Sequence, residues 1–198
     1  MTNNTEEQIN VKNINFHPVL KDIENMFWFF LLSMRTLSDF DIQNVLKFKN
    51  SKNEGYGGFN EMLDKFNKIT NLKIEIAGNK ATSKLNILDQ MIFMGKAMAI
   101  LIYDYLSFSK YNTQINSLEE FRFLKFIRNG AAHYNKFNLK DENGDWKLTE
   151  KEVIKWKNKE ITRQLHNSTV FNDFISLFEI FLLAKHFSNK LVEIDSKK

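Results

Sequence analysis

The chain has 198 residues, 43% of them hydrophobic and 19 of them Phe, which is enough for one domain with a sizeable core. It contains no cysteine, which excludes disulfides, thiolate metal sites and cysteine nucleophiles and suits a reducing compartment. A net charge of +4 and a pI near 9.1 suit a polyanionic partner without demanding one.

The polar, acidic start MTNNTEEQIN lacks a basic region followed by an apolar stretch, so no signal peptide is expected. Residues 26–34 are apolar but few; 87–106 carry Asp89, Lys96 and Asp104, and 170–184 carry Asp173 and Glu179. Spanning a bilayer takes about 20 predominantly apolar residues. A soluble, cytoplasmic chain with no membrane contact is the expectation, built as a single domain over 1–198 with flexible tails at 1–15 and 193–198.

Pro18 stands where a helix could begin, because the N–H it lacks would be unpaired there anyway. A first helix is expected from there to about residue 36, with Phe27, Phe30, Leu31 and Met34 at helical spacing and Trp28 and Leu32 widening the stripe. A shorter helix over 39–48 turns Ile42, Val45 and Leu46 inward. Residues 50–58, with Gly55, Gly57 and Gly58, read as a loop, and 59–69 as a short helix on Phe59, Leu63 and Phe66.

The longest helix is expected over 83–109, capped by Thr82 or Ser83, with Leu85, Leu88, Ile92, Ala99, Ile102 and Leu106 on one face. Gly95, Ala97 and Ala99 are small enough to let another helix approach. Residues 117–120 have capping-box spacing and open a helix through Phe121, Leu124 and Ile127 that delivers Arg128 at its end, where Gly130 marks a break.

Asn143-Gly144 signals a tight turn, so 137–148 read as a small β-hairpin or a long loop. Residues 149–152 form a second capping-box pattern, opening a helix with Val153, Ile154 and Ile161. The last helix, about 169–192, is apolar over a wide arc through Phe171, Phe174, Ile175, Phe178, Phe181, Leu182 and Phe187. That arc places it at the centre of a bundle or against a second subunit. The expected fold is an all-α antiparallel helical bundle with a small loop or β-hairpin insertion.

The hexapeptide Arg128-Asn129-Gly130-Ala131-Ala132-His133 carries the clearest chemistry. Arginine is scarce: Arg35, Arg122, Arg128 and Arg163 are the four among 28 basic residues. A guanidinium is a permanently charged fork matched to phosphate oxygens, and an imidazole transfers protons near neutral pH. Small residues between them leave room for a substrate. The bland alternative has Arg128 on helix-end carbonyls and His133 as a buried, hydrogen-bonded cap.

The R-N-x3-H spacing at a helix end, in an all-helical chain of this length, resembles the motif of HEPN domains. These are small helical bundles, many of them metal-independent ribonucleases of toxin–antitoxin, abortive-infection and RNA-targeting systems. The string RNGAAHYN is most similar to the R-N-x-x-A-H form of abortive-infection HEPN proteins. Toxins of HEPN–MNT pairs carry H-x-Y, whereas here Tyr134 directly follows His133 and position 135 is Asn.

RNA cleavage of this kind has the ribose 2′-OH attack the adjacent phosphorus while the 5′-oxygen leaves, giving a 2′,3′-cyclic phosphate. His133 is expected to move protons, Arg128 to stabilise phosphoryl charge, and Asn129 to orient one or the other. One His does not comfortably hold both protonation states, so a two-fold homodimer pairing two motifs is expected, as the resemblance also implies. The resemblance further implies RNA as substrate, no cofactor, and an antitoxin or defence-system protein as partner. Tyr134, Asn135 and Lys136 are candidate substrate-binding residues at the rim, and Asp104 a candidate supporting partner for Arg128 or His133. The alternative is a HEPN-like module that binds RNA or protein without catalysis, or a helical adaptor acting through its last helix.

No metal site is expected, since cysteine is absent and His17, His166 and His186 lack ligand spacing. Lysines at 147, 151, 155, 157 and 159, interleaved with Trp146 and Trp156, read as either a nucleic-acid contact or a solvated helix face.

Overall fold

The structure, a computed structural model, describes residues 15–38 and 87–197. The expected short helices at 39–48 and 59–69, the glycine loop and the cap at Thr82 or Ser83 lie outside those residues. Among the described residues the protein is mostly helical, with five α-helices and one two-stranded hairpin. The helices are α1 (Lys21–Ser38), α2 (Ile87–Ser107), α3 (Asn112–Ile115), α4 (Glu119–Ala132) and α5 (Leu177–Asp195). The strands β1 (Ile154–Trp156) and β2 (Lys159–Ile161) lie between α4 and α5.

Two compact units are distinguished within the chain. The described part of the smaller unit is 27–38 and 87–93, the distal part of α1 and the first turns of α2. There Phe27 and Phe30 are buried, as their spacing implies, but Phe29 and Leu32 are largely exposed. The larger unit holds 15–26 and 94–197, and with them the whole of the Arg128–His133 motif.

The core of the larger unit forms where α2, α4 and α5 bring apolar stripes together. Met98, Ala99, Ile102 and Leu106 of α2, Phe123, Leu124 and Ile127 of α4, and Ile180, Leu183, Ala184, Phe187 and Leu191 of α5 are fully enclosed. Gly95 does permit a close approach: a Cβ there would sit 2.7 Å from the Phe171 ring, in the irregular segment before α5, and 3.5 Å from the Cα of Leu177, the first residue of α5.

Several expectations are corrected. Pro18 starts a 3-10 turn, Pro18–Leu20, and α1 proper begins after it. The capping box at 117–120 does not form; Leu118 is the N-cap, and the Ser117 hydroxyl instead donates to the Gln114 carbonyl. The pattern at 149–152 closes a turn, with Thr149 N–H donating to Glu152 Oε2 at 2.9 Å, but it opens no helix. The residues beyond it alternate: Ile154 and Trp156 point inward, Lys155 outward, and Lys157 takes a positive φ of 52° to reverse the chain. Ile154 then pairs with Ile161.

The regular hairpin is therefore at 154–161, whereas Asn143-Gly144 makes a tight turn closed by a lone Lys140–Trp146 bridge. The last helix starts later than expected, at Leu177, behind a complete capping box of Ser176 and Glu179. It also continues through Glu193–Asp195, which the sequence suggests as tail, because Asp195 is held. Its carboxylate accepts from Tyr111 Oη at 2.7 Å and from His17 Nε2 at 3.1 Å. His17 Nδ1 accepts from the Val19 N–H, which leaves the proton on Nε2 to donate to Asp195.

Candidate active site

Helix α4 places the motif. Its buried face (Phe121, Phe123, Leu124, Ile127, Ala131) faces the core, which leaves Arg122, Lys125, Asn129 and Ala132 on the outer side. At 3.6 residues per turn, Asn129 and His133 lie only about 40° apart around the axis, whereas Arg128 and His133 are about 140° apart. Arg128 joins the group through its length: its Nη1 lies 3.5 Å from Asn129 Oδ1.

The Arg128 side chain is one-third exposed and its guanidinium is loosely held. Nη2 is 3.9 Å from Asp104 Oδ1 on α2, the outer limit of an ion pair. Its Cζ lies 5.5 Å from the Tyr103 ring centroid, a cation–π contact. Nε is buried with no hydrogen-bond partner among the described residues. Asp104 thus stands beside Arg128 rather than His133, and the guanidinium keeps donors to spare.

His133 is the C-cap of α4, and its backbone N–H donates to the Asn129 and Gly130 carbonyls. Its side chain is exposed, not buried as the bland alternative had it. Gly130 is no helix break, since α4 runs through it to Ala132. Nor does it leave space for a substrate: a Cβ there would lie 2.4 Å from Val170 Cγ2 and 3.2 Å from the Lys136 carbonyl oxygen. Its small size lets residues 136 and 170 clamp the helix end.

The three rim residues have different surroundings. Tyr134 and Asn135 both take left-handed backbone (φ 55° and 62°), and Lys136 N–H returns to the His133 carbonyl at 3.1 Å. Two left-handed central residues are the type I′ pattern. Tyr134 is 94% exposed and Lys136 is exposed. Asn135 is engaged with the protein itself: Nδ2 donates to the Phe171 carbonyl at 3.1 Å, Oδ1 accepts the Phe171 N–H at 2.9 Å, and its carbonyl accepts the Val170 N–H. Asn135 anchors the clamp, a role with no local signal in the sequence because its partner is 36 residues away.

Of the other histidines, His166 Nδ1 accepts the Leu139 N–H, and His186 Nε2 lies 3.3 Å from Glu120 Oε1 without hydrogen-bond geometry. The lysine-rich stretch is no helix face: Lys155 pairs with Glu160 and Lys159 with Glu179, while Lys157 covers Trp156. Lys147 alone of that group lines a cavity of about 420 Å³ beside α4, with Arg122, Lys125, Phe126 and Asn129. That cavity was not foreseen, because it joins residues from α4 and from the turn after it.

Among the described residues no three His, Cys, Asp or Glu side chains group as metal ligands. Among them, too, no helix is long and apolar enough to cross a membrane. No protein-family model, curated protein or solved structure matches this chain.

Proposed function

We propose that the protein is a metal-independent endoribonuclease of a defence or toxin–antitoxin system, built on a HEPN-like bundle and acting as a homodimer. The observation that carries this reading is an under-coordinated guanidinium and an exposed imidazole on the same helix end, five residues apart with Asn129 between them. Arg128 makes only long contacts, at 3.5 and 3.9 Å, and keeps a buried Nε without a partner among the described residues. A phosphate would supply acceptors to the Nη1 and Nη2 donors in charge-assisted bonds, though not to the enclosed Nε. His133 stands at the adjoining helix end, free to move protons.

In this mechanism His133 of one subunit takes the 2′-OH proton and the 2′-oxygen attacks phosphorus. The protonated His133 of the second subunit gives its proton to the leaving 5′-oxygen. Arg128 stabilises the charge that accumulates on the non-bridging oxygens. Asn129 steadies the guanidinium through its Oδ1, which lies 3.5 Å from Nη1. Asp104 keeps Arg128 in place from α2 without saturating it.

One feature favours the non-catalytic alternative, a module that only binds RNA or protein: Arg128 lies over Tyr103 and near Asp104, contacts that a merely structural arginine also makes. The two readings separate on RNA cleavage by purified protein in excess EDTA. The ribonuclease reading expects undiminished cleavage with 2′,3′-cyclic phosphate ends. Products with 3′-hydroxyl ends, or no cleavage at all, would overturn it.

A further inference from the structure

The cavity beside α4 has no part in the proposed chemistry, yet it shares Asn129 with the motif. Its volume of about 420 Å³ falls within the roughly 300–1,000 Å³ of small-ligand sites. Arg122, Lys125, Phe126 and Asn129 succeed one another along a single side of the helix, and Lys147 and Asn116 join the lining from outside it.

The charges in it are unequal. Arg122 is already paired with Glu152. Lys147 Nζ donates only to a carbonyl, that of Asn138, at 3.2 Å. Lys125 is exposed and makes no ion pair with a described residue. Among the described residues no carboxylate thus compensates these two ammonium groups, which line a cavity whose walls include Phe121 and Phe126. Phe121 in turn stacks on Tyr103, 5.1 Å between centroids, the ring that Arg128 covers.

Uncompensated cations beside aromatic rings match a nucleotide: phosphate oxygens for the lysines and an apolar base face for the phenylalanines. We propose that this cavity is the subsite for the nucleotide flanking the scissile phosphate, with Lys125 and Lys147 holding its phosphate and Phe126 its base. The strand would then run along the outer side of α4 from Arg122 toward His133. This rests on the ribonuclease reading for the word scissile, but the binding claim is tested separately from cleavage.

The test is binding of a nine-nucleotide single-stranded 2′-O-methyl RNA, which cannot be cleaved by 2′-OH attack, measured by fluorescence anisotropy across a salt series. The double variant Lys125→Ala/Lys147→Ala is compared with the parent and with Lys157→Ala/Lys190→Ala, which makes the same charge change elsewhere. The subsite variant is expected to bind at least about tenfold more weakly, with a salt slope shallower by about 1–2, as loss of two phosphate contacts requires. The control pair is expected to bind like the parent, and both variants to melt normally.

Equal loss in both variants would reduce the effect to net charge and overturn the subsite, as would unchanged affinity or a parent that does not bind. Inorganic polyphosphate of matched charge should compete less well than RNA; equal competition would overturn the role given to the base. Catalysis fails independently, if EDTA-resistant cleavage is absent while binding shows this pattern.

Discussion

Substituting Gly130 tests whether the motif is held by a clamp of residues 136 and 170. On an exposed helix, Gly→Ala stabilises by about 1 kcal/mol. Here the added Cβ would fall 2.4 Å from Val170 Cγ2 and 3.2 Å from the Lys136 carbonyl oxygen. Val170 is fully buried and β-branched, and its N–H is bonded to the Asn135 carbonyl, so it has little room to give. Overpacking of this kind costs about 1–3 kcal/mol.

Gly130→Ala is therefore expected to lose about 1–2 kcal/mol net, a fall in Tm of roughly 3–6 °C for a chain of this size. Val170→Ala removes the clashing methyl and alone costs about 2 kcal/mol by lost burial. In the double variant the new Cβ occupies the vacated space, and the two losses should fall short of their sum by about 1–2 kcal/mol. Urea and thermal unfolding of the four proteins measure this. A Gly130→Ala protein more stable than the parent, or strict additivity, would refute the clamp.

Three further outcomes rest on other contacts. Asn135→Ala loses both hydrogen bonds to Phe171 and puts alanine at a φ of 62°, so unfolding in urea should show a loss of about 2–3 kcal/mol. The Glu152 carboxyl lies below its ordinary 4.5 because the Thr149 N–H donates to it and Arg122 pairs with it. Its stabilisation is thus complete above about pH 4.5 and lost as pH falls through the lowered value, so Glu152→Gln should be less stable at pH 7 yet converge with the parent in acid. Arg128→Lys should fail to support RNA cleavage while melting close to the parent, because an ammonium cannot offer the planar fork; turnover equal to the parent would reduce Arg128 to an electrostatic contact.

The elements legible in the sequence are those whose burial keeps one period over many residues. In α4 the 3.6-residue stripe matches the buried side chains, and in α2 it does so from Ala99 to Leu106, whereas Leu88 is exposed and Arg128 falls just before the last turn of its helix rather than at its end. Legibility fails where local signals compete. Thr149 and Glu152 make the turn their spacing promises, but the next residues alternate with period two and pair as strands. Val170, Phe171 and Ile175 look like a helix start, yet they are core residues of a turn, anchored by Asn135.

In the candidate site, Arg128, Asn129 and His133 could be read from one short segment. The loads on their neighbours could not. Gly130 is small because of Val170, Asn135 is bound to Phe171, and the cavity depends on Lys147. Each is a contact between segments with no covalent proximity to announce it. The same holds for the cluster of His17, Tyr111 and Asp195, whose members come from three distant stretches of chain.

The central claim is that His133 transfers protons in RNA cleavage, and His133→Ala tests it most directly. The side chain is exposed and lies outside the core, so the variant should melt with the parent. Its rate of RNA cleavage in EDTA should fall by about 10²–10⁴-fold, the range for loss of a general acid–base. A well-folded His133→Ala protein that cleaves RNA at the parent's rate would contradict the account.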